Sequence, residues 1–179
     1  DDMIHNGLGC MVGCLLANLQ INGDEKEVLV IFLGIVFGST VFTRPKTIRQ
    51  YKLIPFWSWG TIICCQDWSL LKENFLNCIL LLPAGALLPA IANHKVKWHQ
   101  ALLVGIAISA TIEFCQLIFM RGLFEWDDMI HNGLGCMVGC LLANLQINGD
   151  EKEVLVIFLG IVFGSTVFTR PKTIRQYKL

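Results

Sequence analysis

Charge is what this sequence has least of. Only 16% of its 179 residues are charged, against roughly 25% in an ordinary soluble domain. Fourteen basic and fourteen acidic residues cancel, so no overall field draws in nucleic acid or an acidic partner. Catalytic signatures are missing too: there is no G-x-S-x-G, no H-E-x-x-H and no phosphate-cradling glycine loop. No histidine pair stands near the cysteines at zinc spacing, which argues against a metal site. No cofactor is expected. The start, Asp1-Asp2, has no basic n-region, so no cleavable signal peptide is read.

What is present is hydrocarbon. Hydrophobic residues make up 54% of the chain, and mean hydropathy is +0.58. Eight cysteines would suggest a disulfide framework, but seven lie in or beside apolar runs. Cys10 and Cys14, like Cys136 and Cys140, are spaced i, i+4 and read as soft packing residues.

An internal repeat organises the chain. Residues 1–53 recur without a difference as residues 127–179, and residues 54–126 occur once. Such identity points to a very recent duplication, an engineered chain, or a circular template read past its start. The physical unit is 126 residues long, the offset between copies.

A spanning helix needs about 20 mostly apolar residues. Runs 3–21, 28–43, 74–93, 100–120, 129–149 and 154–169 meet or approach this, giving six spans, four per period. Pro83, Gly85 and Pro89 predict a kink within 74–93. Residues 53–66 are apolar but too short to span, and Trp57, Trp59 and Trp68 place them at the headgroup level or in a re-entrant segment. Ten Lys and Arg fall on the side holding the 44–73 loop, and four on the other. The positive-inside rule puts the first side in the cytoplasm.

The expected fold is therefore all-α: a polytopic transmembrane bundle whose four-span unit covers 28–149. Residues 1–27 would duplicate the fourth span and its link, and 150–179 the first span and its basic tail. If the repeat is genuine, the extra spans would pair in trans with a second copy, giving a swapped dimer, a homo-oligomer. Gly34 and Gly38 form a small-xxx-small face in the first span of the unit.

The costly residues cluster between Glu113 and Gly139. Helical spacing places Glu113 and Gln116 on one face with Gly105 and Ser109. It does the same for Asp128 and Asn132 with Gly135 and Gly139. Two small-residue stripes predict an antiparallel pair at whose interface Glu113, Gln116, Asp128 and Asn132 meet. Arg121 is suited to bidentate pairing with a carboxylate, and Arg44 would close over the site from the same side. Carboxylates in surplus over arginine imply raised pKa values, or contact with water or a cation. Glu125 and Asp127 read as solvated link residues, and His131 as an ordinary helix-start histidine.

At these residues the chain resembles the VanZ-like family of small bacterial membrane proteins. The resemblance lies in an ordered set: T-R-P…Y-K-L-I-P-F-W-S, N-C-I-L-L-L-P-A-G-A-L-L-P, I-E-F-C-Q-L-I-F-M-R-G-L-F-E-W-D-D and I-H-N-G-L-G-C-M-V-G. It covers residues 28–146. The family's recurrent polar positions fall here on Arg44, Pro55, Asn77, Pro83, Glu113, Gln116, Arg121, Asp128 and Asn132, with Gly135 and Gly139. Ala84 and Ala86 depart from the bulkier neighbours common there. The resemblance implies a multi-pass protein of the bacterial cell membrane with a role in low-level glycopeptide (teicoplanin) resistance. Its partners would be the lipid bilayer and a lipid-linked or amphiphilic ligand. Two other readings stand beside it: an intramembrane enzyme acting on a lipid or polyprenyl phosphate, and a structural, partner-binding bundle.

Overall fold

The structure, a computed structural model, describes residues 25–42, 46 and 50–146. The runs expected at 3–21 and 154–169 lie outside the described residues, as do all of 150–179 and, of the segment 1–27, all but Glu25, Lys26 and Glu27.

Helix α1 runs from Glu25–Phe37 and continues as a π-helical turn, Gly38–Phe42. Glu25 and Glu27 sit in its first turn, where acidic groups complement the helix dipole. At its far end Thr40 Oγ1 donates to the Val36 carbonyl at 2.7 Å, as does Ser39 Oγ at 3.0 Å. Hydroxyls that bond back to the preceding turn compete with the regular ladder, and here the winding loosens.

A three-residue strand, β1 (Gln50–Lys52), pairs in parallel with β2 (Leu123–Glu125). Its register sets Gln50 against Leu123, Tyr51 against Phe124 and Lys52 against Glu125. This strap is an addition to the all-α expectation. Three residues are too few to show a period of two, so no pattern in the sequence announces it.

Helix α2, Trp57–Cys65, has nine residues. At about 1.5 Å per residue it is far too short to cross a bilayer, in keeping with the reading of 53–66. Asp67 then caps α3 (Trp68–Leu80), its carboxylate accepting from Ser69 N and Leu70 N. The chain breaks at Leu81 and resumes as α4 (Leu82–Ala92), with Pro83 in the first turn, where its missing N–H costs nothing. The kink expected from the prolines is found there. α5 spans Trp98–Ile118 and α6 spans Trp126–Gln146, both 21 residues.

Among the described residues, two helical stretches are long and apolar enough to cross a membrane: Trp68–Ala92 and Trp98–Ile118. α6 has the length but carries polar groups, and it lies at the centre, packed against α3, α4 and α5. α1 packs on α4. Val28, Phe32 and Val36 of α1 form the apolar core with Leu80, Ala84 and Leu87.

Glycine decides how closely α6 is held. A Cβ on Gly135 would overlap the Cys78 carbonyl, and one on Gly139 the Leu82 carbonyl. A Cβ on Gly85 would likewise overlap the Cys136 carbonyl. The close approach of Gly135 and Gly139 is therefore to the α3–α4 unit, a correction to the expected contact with α5. The α5–α6 seam is made by other glycines: a Cβ on Gly105 would come within 2.9 Å of the Gly133 Cα. Gly34 and Gly38 meet nothing within 4 Å. The small-xxx-small contact expected of them is not made among the described residues.

Candidate functional site

The polar groups gather at the end of the bundle where β2 passes into α6. Asp127, in the first turn of α6, is 1% exposed. Its Oδ1 accepts from Phe56 N at 2.5 Å. Its Oδ2 accepts from Ser58 N at 3.0 Å and from the Ser58 hydroxyl. Ser58 in turn accepts from Asn74 Nδ2 of α3 at 3.0 Å. The start of α2 has no capping side chain of its own, and Phe56 before it is held at φ 60°. A carboxylate borrowed from α6 supplies the cap and meets the positive end of the α2 dipole. The reading of Asp127 as a solvated link residue is thus overturned: it is the buried clasp between α2 and α6.

One turn further along α6, His131 is also buried, at 3% exposure. Its Nε2 accepts from Trp59 Nε1 at 3.0 Å. Ser58 and Trp59, neighbours on α2, therefore both hold to α6.

Asp128 points elsewhere. It accepts from Asn77 Nδ2 of α3 at 2.5 Å. Close by, the strap brings Lys52 opposite Glu125, and the Lys52 ammonium lies 3.2 Å over the centre of the Trp57 ring, a cation–π contact. Burial pushes the Glu125 carboxyl up to about 8, with Asp128 adding to it and Lys52 opposing. Burial also lowers the Lys52 ammonium, against the pull of Glu125 and Asp127. Both members of the pair lean toward their neutral forms, so desolvation outweighs attraction here. Glu125, too, departs from its reading as a solvated link residue.

The α5 residues face another way. Glu113 and Gln116 are each 2% exposed. Glu113 Oε2 accepts from Glu125 N at 3.2 Å, fixing the end of the strap. Gln116 Nε2 donates to the Thr40 carbonyl at 3.3 Å, and Arg121 Nη1 to the Phe42 carbonyl at 2.6 Å. Both carbonyls belong to the π-helical turn, where the regular ladder is loosened. Asn132 Nδ2 donates to Ser109 Oγ at 2.8 Å across the α5–α6 seam.

The expected single meeting point is thus divided. Glu113, Gln116 and Arg121 brace the strap and the turn after α1, whereas Asp128 faces α3. Asn132 bonds directly across the helix pair, to Ser109. Arg44 lies outside the described residues. Sequence reasoning passed over Lys52, Ser58, Trp59, Asn74 and the role of Asp127. The one available signal was the pair Asp127 and His131 at i, i+4 on the inward face of a helix.

Among the described residues no three His, Cys, Asp or Glu side chains are placed to hold a metal ion. The groups gathered here suit acid–base and electrostatic chemistry. A carboxyl titrating near neutral pH can give or accept a proton, and neighbouring carboxylates favour a cationic group.

These features define a helical membrane protein with carboxylates retained at one end of its bundle. Within that class the chain belongs to the VanZ/LLP1 family, whose model matches residues 28–147. The match takes in nearly all of α1 and every element after it. No curated protein and no solved structure matches the chain.

Proposed function

We propose that this VanZ-like protein sits in the bacterial cell membrane as a multi-pass bundle and lowers susceptibility to glycopeptides of the teicoplanin type. It acts at the envelope by binding an amphiphilic or lipid-linked ligand at the polar end of the bundle. The observation that carries this reading is the grouping of Asp128 and Glu125 beside Lys52, Asn77 and Trp57. Carboxylates kept partly buried next to hydrocarbon are costly, and their retention argues for use. In this reading Asp128 meets a cationic group of the ligand, and Glu125 adjusts the local charge by taking up a proton.

The test measures the teicoplanin concentration that inhibits a host expressing each variant, together with the thermal midpoint of the purified variant in detergent. Asp128→Asn is expected to abolish protection while expression and midpoint stay close to those of the parent chain. Full protection by both Asp128→Asn and Glu113→Gln would sink the site reading.

A second, structural reading is favoured for the α5 residues by a separate observation. Gln116 and Arg121 donate to main-chain carbonyls of the turn after α1. On this reading their role is to hold α1 in place, and Gln116→Leu lowers the midpoint in step with protection.

A further inference from the structure

We propose that the outer face of α2, with the segment leading into it, is a docking surface for a leaflet of anionic phospholipid. The inner face of α2 is spoken for, since Ser58, 1% exposed, bonds to Asp127 of α6. That attachment fixes which side of the helix points away from the bundle. Away from that attachment Ile63 of α2 is 75% exposed, Ile54 and Phe56 before it are 72% and 58% exposed, and Trp68, the first residue of α3, is 75% exposed. Leu53 joins them at 54%. A helix too short to span, anchored on one flank and apolar on the other, suits the boundary between headgroups and acyl chains. Its tryptophans suit the same depth.

Charge selects the kind of lipid. Residues 28–66 contain Arg44, Lys46, Arg49 and Lys52 and no Asp or Glu. The acids that share this end are drawn inward. Asp127 and Glu113 are buried, and Asp67, Glu73, Glu125 and Asp128 are partly covered. Among the described charged side chains of residues 46–73 and 113–128, the exposed ones are Lys46 and Lys72, both basic. Acidic and basic residues are equal by count over the chain, yet the exposed charge in these segments is positive. Exposed lysines close in sequence to an apolar face match an anionic leaflet, and a juxtamembrane lysine strengthens such binding by about fivefold.

The experiment uses the full chain carrying Trp98→Phe and Trp126→Phe, so that only Trp57, Trp59 and Trp68 report. It is reconstituted in phosphatidylcholine vesicles with a minor fraction of phosphatidylglycerol, and bromine is placed on the acyl chains of one lipid or the other. Brominated phosphatidylglycerol is expected to quench the tryptophans several-fold beyond its share of the lipid. Lys46→Gln should lower that preference about fivefold, and adding Lys72→Gln should lower it further, with the thermal midpoint unchanged. Half-molar salt should act in the same direction. Equal quenching by the two brominated lipids would overturn the choice of an anionic leaflet. Quenching by aqueous iodide and by neither brominated lipid would overturn docking to lipid altogether, and would assign the face to water or to a protein partner. Both lysines lie outside the polar groups assigned to ligand binding, so this result stands apart from any change in glycopeptide protection.

Discussion

The middle of α6 and its first turn follow opposite rules. Along Gly135 and Gly139 the helix lies against the carbonyls of Cys78 and Leu82 with no room for a single carbon. At its start the same helix presents Asp127, Asp128 and His131 to α2 and α3, and each is met by a hydrogen-bond donor. The first region is specified by the absence of side chains and the second by their chemistry. In an apolar surrounding these are two routes to helix association: close backbone contact, and hydrogen bonds between buried polar groups. Only the second leaves groups that a ligand or a proton can address. Function is therefore expected at the end of α6, with the middle serving to hold that end in place.

The sharpest way to break this comparison is to fill the seam. Gly135→Leu should cost more than about 3 kcal/mol, because backbone, and no flexible side-chain tip, stands in the way. Thermal unfolding in detergent would register it as loss of the folded species. If the variant unfolds like the parent, the seam is not where the bundle is closed.

Next in size is Asp127→Ala. It removes a buried acceptor of three hydrogen bonds from Phe56 and Ser58, and should cost about 2–3 kcal/mol. Protease sensitivity confined to residues 53–67 would locate the damage at α2. Uniform sensitivity would mean that Asp127 supports the whole bundle and not one clasp.

A pH series sharpens the contrast further. Burial raises the Glu125 carboxyl from 4.5 to about 8, so between those values the folded chain holds a proton that the unfolded chain has released. Stability from this group is complete below about 4.5 and is lost as pH rises through about 8. The midpoint should fall over that interval, and Glu125→Gln should flatten the fall. An unchanged slope in the variant would assign the pH dependence to another group. Gly34→Ala, which meets no neighbour within 4 Å, should keep the slope of the parent.

The smallest effect concerns a glycine outside the seam. Gly34→Ala meets no neighbour within 4 Å, and should stabilise α1 by up to about 1 kcal/mol through helix propensity. Destabilisation instead would reveal a close contact at Gly34, as the sequence had suggested.

Much of the fold was legible because hydrocarbon content is a local property. The described parts of the apolar runs at 28–43, 74–93, 100–120 and 129–149 are largely helical, and Pro83 marks the break at Leu81. The short run 53–66 contains a helix that cannot span. The strap was not legible, since Gln50–Lys52 meets Leu123–Glu125 across a long stretch of chain with too few residues for a pattern. The candidate site was read as one patch because Glu113, Gln116, Asp128 and Asn132 each sit on the expected inward face. Spacing on a helix identifies a face. It does not say which neighbour that face will meet.

The sequence by itself determined the kind of protein this is, and that the residues from Glu113 to Gly139 are its most constrained. Few charges, long apolar runs and carboxylates beside them make a membrane protein, because transfer free energies belong to residues one at a time. Tertiary structure alone decided what those carboxylates do. Asp127 became a cap for a distant helix, Glu113 a brace for the strap, and Asp128 a partner of Asn77 beside Glu125. The reason is physical: a charge near hydrocarbon must be neutralised, bonded or hydrated, and which of these occurs depends on donors brought in from remote parts of the chain.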